Sequence, residues 1–167
     1  MWNDAQLHVS PTVCNLVPHV APVENRRFIK PKWGFWTSTY DAERQSSAWV
    51  DWCLAEEFGD VTRGSWFVLT PDPAAHVFVI DTLPDLRYLV EHYFDPEALP
   101  YMRFITCLDF ECLSQDFDAI HLTEAGQWAT RHSQPHDLNG WDCECTLWFR
   151  WRFTSIVPVE KPEFVID

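Results

Sequence analysis

Apolar positions recur with period two over some short stretches of this chain and with period near 3.6 over others, and Pro residues punctuate the spaces between them. Gln6 to Ser10 reads as a short strand ending at Pro11. Pro18, Pro22 and Pro31 make the next residues an irregular connection, and Trp33 to Thr39 reads as a second strand. From Ser46 to Phe58, residues Trp49, Val50, Trp52, Cys53 and Phe58 share a helical stripe with Asp51, Glu56 and Glu57 off it. This predicts a helix capped by Ser46 or Ser47 and ended at Gly59. Strands at Ser65 to Leu69 and His76 to Asp81 bracket the turn Thr70-Pro71-Asp72-Pro73, and a helix from Leu83 or Pro84 to Tyr93 presents Leu86, Leu89, Val90 and Tyr93 on one face. A short helix around Phe110 to Ser114 leads to a strand at Asp118 to Leu122. Glu124 to Gly140 is polar and reads as mostly without structure. The last element, Trp141 to Phe153, alternates as a strand: Trp141, Cys143, Cys145, Leu147 and Phe149 face one side, and Asp142, Glu144, Thr146, Trp148 and Arg150 the other. Strands and helices mix without regular alternation, so the expected class is α+β, as a single compact domain over residues 1–167.

Composition narrows the classes of function. The chain carries 12 Lys plus Arg against 25 Asp plus Glu, a formal charge of −13, which opposes non-specific attraction to nucleic acid backbones and anionic membranes. No run reaches the roughly 18 to 20 apolar residues of a membrane span. Met1-Trp2-Asn3-Asp4 lacks the basic start and apolar stretch of a signal peptide, so a cytoplasmic location is expected. In that compartment Cys14, Cys53, Cys107, Cys112, Cys143 and Cys145 read as buried thiols rather than disulfides. Cys143-x-Cys145, His132-x3-His136 and Cys107-x4-Cys112 fit zinc spacing only in part, and no metal is expected. Ten Trp residues are an excess over what core packing alone requires.

Two features could carry chemistry. Glu144 is a carboxylate on the polar face of an otherwise apolar strand. It suits either a structural ion pair with Arg150 or Arg152, or hydrogen bonding to a ribose hydroxyl and stabilisation of an oxocarbenium-like centre. Arg26, Arg27, Lys30 and Lys32 precede Trp33-Gly34-Phe35-Trp36. Cations beside rings suit a dinucleotide, with a solvated loop as the alternative. With five Gly and neither a P-loop nor G-x-G-x-x-G, a glycine-built phosphate cradle is excluded.

The series Leu7-His8-Val9-Ser10-Pro11, Lys30-Pro31-Lys32-Trp33-Gly34-Phe35-Trp36-Thr37-Ser38, Ser46-Ser47-Ala48-Trp49 and Trp52-Cys53 resembles the front half of the ADP-ribosyltransferase superfamily, in the branch of the poly(ADP-ribose) polymerases and diphtheria toxin. The later run from Trp66 to Tyr93, then Phe117-Asp118-Ala119-Ile120-His121, is similar to compact bacterial and phage members. The resemblance implies two small mixed sheets packed with a few helices around an NAD cleft. It implies His8 on a ribose, Ser10 on the nicotinamide carboxamide, Trp36 or Tyr40 stacked on the nicotinamide ring, and Trp49 or Trp52 as the opposite wall. Lys30 and Ser38 fall in the same NAD-binding stretches, and Glu144 takes the place of the catalytic carboxylate.

The function so implied is a mono-ADP-ribosyltransferase that uses NAD as substrate and modifies a macromolecular acceptor, with a protein favoured over duplex nucleic acid by the acidic charge. The alternative is a non-catalytic nucleotide- or protein-binding module on the same fold. It is favoured by Val9 and Trp36 standing where that branch carries Gly and Tyr.

Overall fold

A computed structural model describes residues 4–26, 30–95, 108–138 and 140–162. The elements in chain order are β1 (Gln6–Ser10), β2 (Phe35–Thr39), α1 (Ala48–Ala55), β3 (Ser65–Pro71), β4 (Val77–Ile80), α2 (Leu83–His92), α3 (Phe110–Asp116), β5 (Ala119–Leu122), α4 (Glu124–Thr130), β6 (Cys145–Trp148) and β7 (Phe153–Val159). The class is α+β. No helix among the described residues is long and apolar enough to cross a membrane.

Local chemistry sets the helix starts. Ser47 accepts from the Val50 N–H, Asp109 from Cys112 and Thr123 from Gly126, each satisfying an N–H that the first turn cannot pair internally. Asp85 reaches back to the Thr82 N–H at 2.8 Å, and Pro84 occupies the first turn of α2, where its missing N–H costs nothing.

The strands form one mixed seven-stranded sheet in the order β4-β5-β6-β2-β1-β3-β7, not the two separate sheets that the resemblance implies. All neighbours are antiparallel except the pair β4 and β5. Side-chain alternation gives the sheet two buried faces. One carries Ile120, Leu122, Cys145 and Leu147, packed with Leu86 and Leu89 of α2 and Phe110 and Leu113 of α3. On the same face, Leu7 and Trp66 pack with Val50 and Cys53 of α1. The other face carries Phe35, Leu69, Ala119 and Trp148, covered by Leu16 and Val20 of the connection after β1 and by Trp151 and Phe153.

Two expected elements differ. Residues 124–130, read as structureless, form α4, because Thr123 caps them and Gly126 lets the helix sit against the end of β4. The single strand expected from Trp141 to Phe153 is instead β6 and the start of β7. The chain leaves the sheet at Phe149, whose N–H bonds Asp118 O, and crosses to the far edge, where β7 pairs with β3. Both faces of β6 are nevertheless those assigned by alternation, with Trp148 buried on the side expected to be polar and its Nε1–H donated to Thr37 Oγ1 at 2.9 Å.

Candidate functional site

The ladder between β1 and β2 consists of two residue pairs, Gln6 with Thr39 and Leu7 with Ser38. Beyond Leu7 the strands part, and a cavity of about 280 Å³ lies against both. Its described lining is Leu7, His8 and Val9 of β1, Trp36 and Thr37 of β2, Trp49 of α1, and Lys30, Asp142, Cys143 and Cys145.

His8 spans the parting. A carbonyl can only accept, so the 2.9 Å contact between Nδ1 and Trp36 O places the imidazole proton on Nδ1. Nε2 is then an acceptor, and nothing among the described residues hydrogen-bonds it. Burial pulls this histidine below its ordinary value, which keeps it neutral at pH 7. The ring also stacks on Phe35, with centroids 4.4 Å apart.

The Trp residues divide between cavity and support. Trp36 meets the cavity and packs edge-on against buried Trp141, centroids 5.1 Å apart. Trp49 meets it from α1 and is stacked on Trp52 at 5.3 Å and 19°. Trp52 and Tyr40 pack with the α1 cluster and are not among the lining residues. Lys30 pairs with Asp142 at 3.0 Å and stands 5.7 Å from the Trp36 ring centre, so the cation of this wall comes with a carboxylate beside it. Lys32 pairs with Glu24 and stands over Trp33 instead. Arg26 is exposed, and Arg27 lies outside the described residues.

Glu144, between the two lining cysteines, is buried with its carboxylate held from β2. Ser38 Oγ donates to Oε2 at 2.7 Å, Thr39 Oγ1 donates to Oε1 at 2.9 Å, and the Thr39 N–H reaches both oxygens at 3.0 and 3.1 Å. Arg150 and Arg152, the sequence candidates for its partner, pair with Asp118 instead, because the chain turns away from the sheet before reaching them. Burial pushes the Glu144 carboxyl above its ordinary value, against the opposing pull of the Ser38 and Thr39 donors. Ser10 is engaged elsewhere: its hydroxyl donates to Thr12 O at 2.9 Å and accepts the Thr12 N–H in the turn that ends β1.

Compared with family models, curated proteins and solved structures, the chain matches none. Its chemistry therefore rests on its own geometry. Cys14, Cys53, Cys112, Cys143 and Cys145 are free thiols, and Cys107 lies outside the described residues. Burial pushes Cys143 up to about 12 and Cys145 well above the ordinary thiol value, so the two thiols of the cavity wall stay protonated and are poor nucleophiles. Among the described residues, no group of three His, Cys, Asp or Glu side chains is placed to hold a metal ion.

The sequence candidates His8, Lys30, Trp36 and Trp49 thus share the cavity, and Ser38 and Glu144 are joined beside it. Thr39 and His121 were not expected there. His121 had a signal, since it is the one ionisable side chain in the Ala119-Ile120-His121-Leu122 stretch, and the whole stretch is buried. Thr39 had none, because half of its contribution is a backbone N–H that any residue would supply.

Proposed function

We propose that the chain binds NAD at the parting of β1 and β2 and transfers ADP-ribose to a macromolecular acceptor, releasing nicotinamide. The observation that carries this reading is the Glu144 carboxylate, fixed by Ser38 and Thr39 next to a cavity walled by Trp36 and Trp49. A flat, uncharged-to-cationic ring such as nicotinamide suits aromatic walls, and about 280 Å³ suits one end of a dinucleotide rather than the whole of it. In the reaction the bond from ribose C1′ to the nicotinamide nitrogen breaks, and nicotinamide leaves with the electron pair. The acceptor nucleophile bonds to C1′ and its proton passes to solvent. Positive charge develops on the ribose as the bond lengthens, and a preorganised carboxylate stabilises that charge more than it does the ground state. His8 Nε2, held as an acceptor by the Nδ1 contact, suits a ribose hydroxyl donor.

A second reading, a nucleotide-binding module without catalysis, is favoured by one observation: Glu144 already accepts from Ser38 and Thr39 and is not itself part of the described cavity wall. Calorimetric titration separates the two when done with NAD and ADP-ribose in parallel. The transferase reading expects NAD to bind and to be consumed with release of nicotinamide. A module that binds ADP-ribose as tightly as NAD and leaves NAD intact has the second function.

A further inference from the structure

Glu144 makes no ion pair with Lys or Arg among the described residues. Burial, and to a smaller extent the negative charge of Asp4, push its carboxyl towards the neutral form. A buried carboxylate so placed stays ionised only through the donors aimed at it. Ser38 and Thr39 supply them from β2. On the opposite side is His121 of β5, whose Nδ1 is 2.8 Å from Thr146 Oγ1 and 3.5 Å from Glu144 Oε1.

We propose that His121 is a positioning residue for Glu144: its Nδ1–H, oriented by Thr146, holds Oε1 from the β5 side and keeps the carboxylate ionised and aimed. This rests on the reading of Glu144 as the working carboxylate, but its test does not require activity. The positioning role requires the Nδ1–H tautomer. A bare Nδ1 would set its lone pair against a carboxylate oxygen at 3.5 Å, whereas a protonated Nδ1 donates to Thr146 Oγ1 and leans its positive edge towards Oε1. The β5–β6 register fixes the arrangement, since it sets His121 directly opposite Thr146, two residues after Glu144. Burial keeps the imidazole neutral at pH 7, against the pull of Asp81, so the donor is a neutral N–H and not an imidazolium. Lys30 and Asp142, on the cavity wall beside Glu144, are paired with each other.

The experiment has a wild-type arm and a variant arm on the full chain. Long-range 1H–15N spectra at pH 7 read the His121 tautomer directly. The Nδ1–H form is expected, and the Nε2–H form overturns the proposal whatever the variants do. Carbon-13 carboxyl titration then follows Glu144 in wild type, His121→Phe and His121→Asn. Phe fills the ring volume without a donor and is expected to raise the Glu144 midpoint by about one pH unit. Asn, whose amide NH₂ can stand in for Nδ1–H, is expected to bring it back to within a few tenths. A Phe variant that is folded and titrates as wild type overturns the proposal, as does an Asn variant that titrates like Phe. If NAD turnover is absent while these shifts appear, the positioning role stands and the transferase reading fails.

Discussion

The hydroxyl of Ser38 donates to Glu144 Oε2 at 2.7 Å. Ser38 Oγ in turn accepts the backbone N–H of Trp49 at 3.3 Å, so one side chain ties the first turn of α1, which carries a wall of the cavity, to the buried carboxylate. Removing it strips a donor from a buried charge and leaves a helix N–H unpaired. Ser38→Ala is expected to cost about 2 kcal/mol of stability, the scale of a hydrogen bond to a charged group, and to reduce NAD turnover. Denaturant midpoints and turnover on the same preparation check it, and a variant as stable and as active as wild type contradicts it.

Ring stacking in the cavity contributes affinity without chemistry. Trp36→Leu keeps apolar volume and loses the aromatic face, so NAD affinity is expected to fall roughly threefold to tenfold, corresponding to about 0.5–1.5 kcal/mol for an aromatic pair. Trp49→Leu should fall in the same range. Trp128 is 71% exposed on α4 and outside the described cavity lining, so Trp128→Ala should leave affinity unchanged in the same calorimetric series.

Acid sensitivity should carry the mark of His121. Burial lowers its value from 6.5 to about 4, so below pH 6.5 the unfolded chain takes up a proton there that the folded chain refuses. Its contribution to stability is complete above pH 6.5 and is lost as the pH falls through 4. Glu144 runs the other way. Its raised value means that its contribution is fullest below the ordinary carboxylate range and is lost as the pH rises through the raised value. Comparison of wild type with His121→Asn between pH 7 and pH 4.5 isolates the histidine. The variant is expected to gain on wild type by about 2 to 3 kcal/mol over that interval, at 1.36 kcal/mol per unit of pH. A constant difference at both pH values contradicts it.

How far the sequence discloses this molecule depends on whether a residue's role is local. β1 is found over Gln6–Ser10, and α1 starts after Ser47, because alternation and capping are properties of neighbours along the chain. The union of the strands into one sheet was not legible, because it depends on a two-pair contact between β1 and β2. Nor was α4, whose buried side chains, Gln127 and Thr130, are polar and whose seat depends on Gly126 having no side chain. In the site, Glu144 stood out as a carboxylate in an apolar strand, yet the partners expected for it were the nearby arginines. Its real partners, Ser38 and Thr39, lie more than a hundred residues away and reach it through the sheet.

Gly126 offers a structural test of that α4 seat. A Cβ built there would stand 2.0 Å from Ile80 O, a backbone atom that cannot swing aside. Gly126→Ala ordinarily favours a helix by up to about 1 kcal/mol. Here it is expected to destabilise by about 2 kcal/mol or more, as overpacking does, with the thermal midpoint as the readout.

The most direct test of the proposed chemistry is nicotinamide release from NAD by wild type and Glu144→Gln, which preserves shape and removes charge. Wild type should release nicotinamide, and the variant should do so about a hundredfold to a thousandfold more slowly while still binding NAD, the scale expected when a preorganised electrostatic group is lost. Equal rates in the two proteins, or no nicotinamide from wild type with NAD bound, would contradict the assignment of Glu144 as the working carboxylate.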